Sequence, residues 1–364
     1  MKLFNCQCCG QLLYFENTRC ERCGSTLGYL ANRALLSALT AAGEGRWHAL
    51  AAPAESFRFC ANASHDACNW LVAADGPDVF CRACRLNRTI PDLAAGNNLQ
   101  LWQRLEAAKH RLVYGLLRLG LPLVSKFEDV ERGLAFDFLE GSGESFREGP
   151  QVVTGHAQGI ITIDIAEADD VERERHRRDM VETYRTLLGH FRHESGHHYW
   201  ERLVRNGVWL EAFREMFGDE RRDYAAALET HYAEGPRADW QQHYVSAYAG
   251  AHPWEDFAET WAHYLHMVDS LETATAFGLS VLSGADQGRA VEITIDFDPS
   301  LAADFDTLIG AWLPLTYAVN SLNRSMGQPD LYPFVLAPEA MGKLRFVHGL
   351  VHRARERKRE GSAG

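Results

Sequence analysis

The sequence predicts an α+β protein in two parts: a cysteine-bound N-terminal region, then a mostly helical domain with a small amount of strand. Three observations predict it. All nine cysteines lie at or before Cys84 in a chain of 364 residues. From about Val171 onward the apolar residues follow helical spacing, punctuated by Pro236 and Pro253. Between them, Gly159 to Ile165 (GIITIDI) alternates as a strand does. With 46% hydrophobic and 24% charged residues the chain can bury a full core, which excludes wholesale disorder.

The boundaries follow from composition. Residues 1–95 form the cysteine region, 96–150 a helical and irregular connector, and 151–364 the larger domain. Cys6-x2-Cys9 and Cys20-x2-Cys23 are two knuckles, closed by Gly10 and Gly24, and two such knuckles complete a tetrahedral four-thiolate zinc site. Cys60, Cys68, Cys81 and Cys84 make a looser second set, in which His65 is an alternative ligand. Four and four leave Cys8 as a bystander. One or two structural zincs are therefore expected. In the connector, Leu101, Leu105, Ala108, Leu112, Leu116 and Leu119 keep a three-four spacing, so a helix is expected until Gly120 and Pro122 end it. Residues 126–150, rich in Gly, Glu and Phe, read as irregular.

The chemistry concentrates in HFRHESGHH, residues 190–198, which contains an HExxH pattern in a helical context that includes Tyr184, Leu187, Leu188 and Phe191. Residues four apart share a helix face, so His193 and His197 can hold one zinc with Glu194 beside the open position as general base. A third protein ligand is needed. PWEDFAETWAHYLH, residues 253–266, offers Glu255 and Glu259 one turn apart, so one can bind zinc while the other supports a histidine from behind. His190, His198 and Asp256 read as packing or structural groups. His263 or His266 could line the cleft, and His156 could lie beside a substrate.

HExxH with a distant Glu-x-x-x-Glu resembles the gluzincin metallopeptidases, and Glu255-Asp-Phe-Ala-Glu259 resembles the second zinc motif of the anthrax lethal factor group. That resemblance implies Glu255 as the third ligand, Glu259 as its outer partner, and Tyr248, seven residues earlier, as the group that stabilises the oxyanion. The whole chain, from FNCQCCG through RTLLGHFRHESGHHYW to NSLNRSMGQPDLYPF, is also similar to bacterial zinc-binding metallopeptidases with an N-terminal zinc-ribbon region. The resemblance implies a zincin-like domain with one catalytic zinc acting on a peptide or protein; with the strand at 159–165 near the cleft of a small mixed sheet, its edge is expected to bind the substrate in extended form through ladder hydrogen bonds. It also supports the second cysteine set as a zinc site.

The formal charge of -12 argues against a protein built to grip nucleic-acid backbone. The five basic residues from Arg353 to Arg359 read as a solvated helix end. No secretory stretch opens the sequence and no apolar run reaches membrane-spanning length, so the expected setting is the cytoplasm without a membrane. Two other readings stay open. One is an adaptor that binds protein or nucleic acid through its ribbons beside an inactive peptidase-like domain, and the other a hydrolase of isopeptide or other non-standard amide bonds. In either case the ribbons could recruit a protein partner.

Overall fold

In the computed structural model, residues 1–141, 155–170, 173, 186–282 and 292–362 are described. They fall into two compact units, one of residues 1–118 and 123–175, the other of residues 119–122 and 176–364.

The first unit is built on metal knuckles and aromatic packing. Strands β1 (Phe4–Asn5) and β2 (Leu12–Leu13) pair around the first knuckle. Gly10 and Gly24 adopt φ +73° and +75°, which lets each N–H turn back to the carbonyl of Cys6 or Cys20 at 2.8 Å. A five-stranded antiparallel meander follows, β3 (Leu27–Leu30), β4 (Leu35–Gly43), β5 (Arg46–Ala49), β6 (Ala52–Phe59) and β7 (Leu71–Ala73), in that order.

Helix α1 (Asn98–Arg118) forms where the apolar spacing places it and stops before Gly120, which has φ +71°. Its Tyr114 joins Phe15, Tyr29 and Trp70 in one buried aromatic cluster with centroid separations of 4.8 to 6.3 Å. The mixed sheet also lies in this unit. Its order is β10 (Gly155–Ala157), β11 (Ile160–Asp164), β9 (Ala135–Leu139), β8 (Asn87–Thr89), with β9 parallel to both β8 and β11.

Two expectations are corrected here. The span 126–150 contains a strand, because Phe136 and Phe138 bury fully on a backbone paired on both sides; residues 142–150 lie outside the described residues. Among the described residues the GIITIDI strand is interior to its sheet, with β10 and β8 at the edges.

The second unit is helical: α2 (Leu187–Leu203), α3 (Leu210–Phe217), α4 (Tyr224–Glu234), α5 (Trp240–His243), α6 (Pro253–Ala276), α7 (Phe305–Ser325) and α8 (Pro338–Ser362). A hairpin, β12 (Ser280–Leu282) and β13 (Glu292–Thr294), stands before α7. Tyr184 and most of 171–185 lie outside the described residues. Helix α6 is the centre of this core, with Phe257, Trp261, Tyr264 and Leu271 at 1% exposure or less. Each such side chain contributes roughly 1.5–3 kcal/mol by leaving water. Among the described residues, no helix is long and apolar enough to cross a membrane.

Candidate metal centre and active site

Helix α2 starts at Thr186, whose Oγ1 accepts the Gly189 N–H at 2.9 Å. Helix α6 starts with Pro253 in its first turn, where a missing N–H costs nothing, and His252 Nδ1 accepts the Trp254 N–H at 3.1 Å. The two helices cross closely at Gly196, where a Cβ would lie 2.8 Å from the Ala258 Cα. Beside that crossing, Ser195 Oγ donates to the Arg192 carbonyl at 2.7 Å and accepts the Trp261 Nε1–H at 3.1 Å.

This packing brings His193, His197 and Glu255 together, with one ligand atom of each within 4.8 Å of the others. His193 Nε2 lies 3.1 Å from Glu255 Oε2, and His197 Nε2 lies 3.7 Å from Glu255 Oε1. Behind them, His193 Nδ1–H donates to Glu259 Oε1 at 2.6 Å, and the Ser246 hydroxyl donates to Glu259 Oε2 at 2.6 Å. The Tyr224 hydroxyl donates to Glu255 Oε1 at 2.6 Å.

The arrangement fits zinc. With its proton on Nδ1, His193 turns a lone pair from Nε2 toward Glu255 Oε2, a buried oxygen without a hydrogen-bond donor. Two lone pairs 3.1 Å apart repel unless a proton or a metal ion lies between them, and zinc bonds of about 2.0–2.1 Å give tetrahedral edges of about 3.4 Å, close to this separation. Charge says the same. Burial would lower the His193 pKa, but Glu255 and Glu259 raise it well above the usual value, so without an ion the site draws a proton to the place a zinc ion would take. Burial would raise Glu255, but His197, His193 and the Tyr224 hydroxyl hold it down to about 2.

Glu194 is buried with Oε2 unpartnered and Oε1 3.4 Å from His190 Nε2. Burial opposes its ionisation, but His190, His193 and His197 keep its pKa below the usual value. The Tyr248 ring lies 6.1 Å from the His193 ring and 5.7 Å from that of His231 on α4. Burial, then Glu255, pushes the phenol far up, so it stays a hydrogen-bond donor.

The other singled-out residues have their own surroundings. His198 is buried beside Tyr199, and Asp256 is buried against Lys343 Nζ at 2.7 Å. His263 Nδ1 meets the Tyr332 hydroxyl at 2.6 Å, and His266 stacks on Tyr332. His156, in the first unit, accepts the Gly159 N–H at 2.9 Å in its own hairpin. Tyr224 and Ser246 were not singled out by sequence, because a tyrosine 31 residues before Glu255 and a serine 13 before Glu259 carry no motif.

The first cysteine set meets around one point, with Cys6–Cys23 Sγ atoms 3.7 Å apart and Cys9–Cys20 3.6 Å apart. Cys60, Cys68, Cys81 and Cys84 meet likewise, with Cys68–Cys81 at 3.7 Å. Zinc–sulfur bonds of about 2.3 Å require edges of about 3.8 Å, whereas a disulfide needs about 2.05 Å. His65 is not part of this group and instead packs edge-on to Trp102. Cys8 is exposed and outside both sets.

Comparison with known proteins agrees with this chemistry. Residues 98–350 match the family described as "Putative zinc-binding metallo-peptidase", and residues 3–95 match a zinc-ribbon domain. Uncharacterized proteins of Mycobacterium bovis and Mycobacterium tuberculosis are 43% identical over 352 residues, which is 96% of this chain and 95% of theirs. No solved structure matches. The chain thus belongs to this family of zinc-binding metallopeptidases, with an N-terminal zinc ribbon and zinc as its cofactor.

Proposed function

We propose that the chain hydrolyses peptide bonds in a peptide or protein, with His193, His197 and Glu255 holding the catalytic zinc. The observation that carries this reading is the buried, donorless Glu255 Oε2 facing His193 Nε2 at 3.1 Å. When bound there, zinc supplies Lewis acidity and lowers the pKa of water to about 7. Glu194, ionised and with a free buried oxygen, takes the proton from the attacking water and returns it to the leaving amine. Tyr248 keeps its proton and donates to the oxyanion of the tetrahedral species. Glu259, fixed by Ser246, holds His193 in the tautomer that presents Nε2. Tyr224 occupies Glu255 Oε1 and leaves Oε2 for the ion.

Eight thiolates reserved for metal suit a reducing compartment, the cytoplasm, and the ribbons could bring a protein partner or substrate to the enzyme. The test is proteome-wide cleavage profiling of wild type against Glu194→Gln, with zinc content measured in both. Cleavages should vanish in the variant while zinc stays. Unaltered cleavage in the variant would refute the assignment.

A further inference from the structure

The two cysteine sites differ in how they meet water. At the first, Cys23 is exposed and Cys9 half-buried, so solvent shares in screening the thiolates. At the second, all four cysteines are buried. Zinc with four thiolates carries a formal charge of about −2, and a buried charge is costly unless it is paired and hydrogen-bonded.

Helix α1 turns three polar residues toward this second site. Glu106 and Lys109 are fully buried, and His110 is 5% exposed. His110 Nδ1 lies 2.6 Å from the Glu106 carbonyl, which can only accept, so Nδ1 carries a proton. Nε2 faces Cys84 Sγ at 3.6 Å and Cys81 Sγ at 3.9 Å. Lys109 Nζ reaches Glu106 Oε1 at 2.6 Å and Asn87 Oδ1, and lies 5.6 and 5.9 Å from the Phe138 and Phe136 ring centroids. Glu106 Oε2 in turn lies 3.6 Å from Cys84 Sγ and 3.6 Å from His110 Nδ1, so the three α1 side chains and the cysteine site form one buried polar cluster.

We propose that the second zinc centre extends onto α1 through His110, whose ring is held by the Glu106 carbonyl and turns Nε2 to the sulfurs of Cys81 and Cys84, so that zinc binding here and the folding of α1 are one event. The consequence reaches past the ribbon, because α1 opens the family's matched segment at residue 98. Strand β8, three residues beyond Cys84, adds parallel to β9 of that same segment. The ribbon's second half is thereby a foundation of the peptidase-family region. A competing reading places a further ion among Cys84, Glu106 and His110, whose ligand atoms are close enough. The Lys109 ammonium bound to Glu106 opposes it.

The test uses the full chain loaded with zinc, and follows chelator-driven release by native mass spectrometry. His110→Ala should speed loss of zinc from the second cysteine site about 10-fold or more, with the first site unchanged. His110→Gln, which keeps a polar N–H within reach of the sulfurs, should fall between. Wild type loaded with 113Cd provides a readout independent of variant folding: the His110 ring should show a coupling to the metal across sulfur. Amide-exchange protection of α1 should collapse in Cys68→Ser and persist in Cys9→Ser. A His110 ring uncoupled from the metal, equal release rates in His110→Ala, α1 protection that survives Cys68→Ser, or an additional metal at Cys84 would each overturn the proposal.

Discussion

At the residue scale, the groups around the proposed catalytic zinc divide into those that hold the ion and those that act on substrate, and substitutions should separate the two. Tyr224→Phe and Glu259→Gln remove hydrogen bonds to Glu255 and His193, so zinc affinity should fall about 10- to 100-fold in a competitive chelator titration. Tyr248→Phe should leave that affinity unchanged and lower kcat by about 100-fold, the scale for one lost oxyanion donor. If Tyr248→Phe loses zinc as well, the tyrosine is part of the metal site's scaffold and the oxyanion role is wrong.

His263 sets a pH dependence of a different kind. Burial holds its pKa at about 4 against an ordinary 6.5, with the neighbouring Glu259 only partly opposing. The unfolded chain therefore binds a proton that the folded chain refuses between pH 6.5 and 4, and stability falls as pH falls through that window. A 2.5-unit difference corresponds to roughly 3 kcal/mol when fully developed. Thermal melts from pH 7.5 to 5 should show wild type losing stability faster than His263→Gln; parallel slopes would show that His263 is not the cause.

At the scale of elements, the α2–α6 crossing fixes the geometry of the candidate site, and Gly196 permits it. A methyl at Gly196 would lie 2.8 Å from Ala258 Cα and 3.2 Å from Trp261 Cβ, both parts of a packed helix that cannot swing aside. Gly196→Ala should cost about 1–3 kcal/mol in denaturant unfolding and weaken zinc binding by displacing His193 and His197 from Glu255. Unchanged zinc affinity would mean that the helices separate without moving the ligands. The buried Asp256–Lys343 pair ties α6 to α8, so Asp256→Ala, which leaves the buried ammonium only the His243 carbonyl at 2.8 Å and Glu339 at 3.8 Å, should destabilise by about 3 kcal/mol.

At the scale of the whole molecule, the two cysteine sites and the His-His-Glu site make three zincs per chain the expected stoichiometry, measurable by native mass spectrometry. A strong chelator should abolish hydrolysis, and added zinc should restore it. The exposed first ribbon site should exchange metal before the buried second one. Simultaneous loss from both would mean that burial does not govern access.

The sequence by itself determined the chemistry whose partners are close along the chain. Cys6-x2-Cys9, Cys20-x2-Cys23 and His193-x3-His197 bring donors together through a turn or a helix whose geometry is local, so spacing alone is informative. The α1 periodicity was legible for the same reason. Tertiary structure decided what depends on elements distant in sequence. It paired β9 with β8 and β11, although AFDFL carries too short a pattern to stand out between irregular neighbours. It brought Tyr224 to Glu255, Ser246 to Glu259 and His110 to Cys84, contacts made by helices and turns crossing in space. Electrostatic complementarity of that kind is set by burial and approach, and neither is written in the spacing of residues.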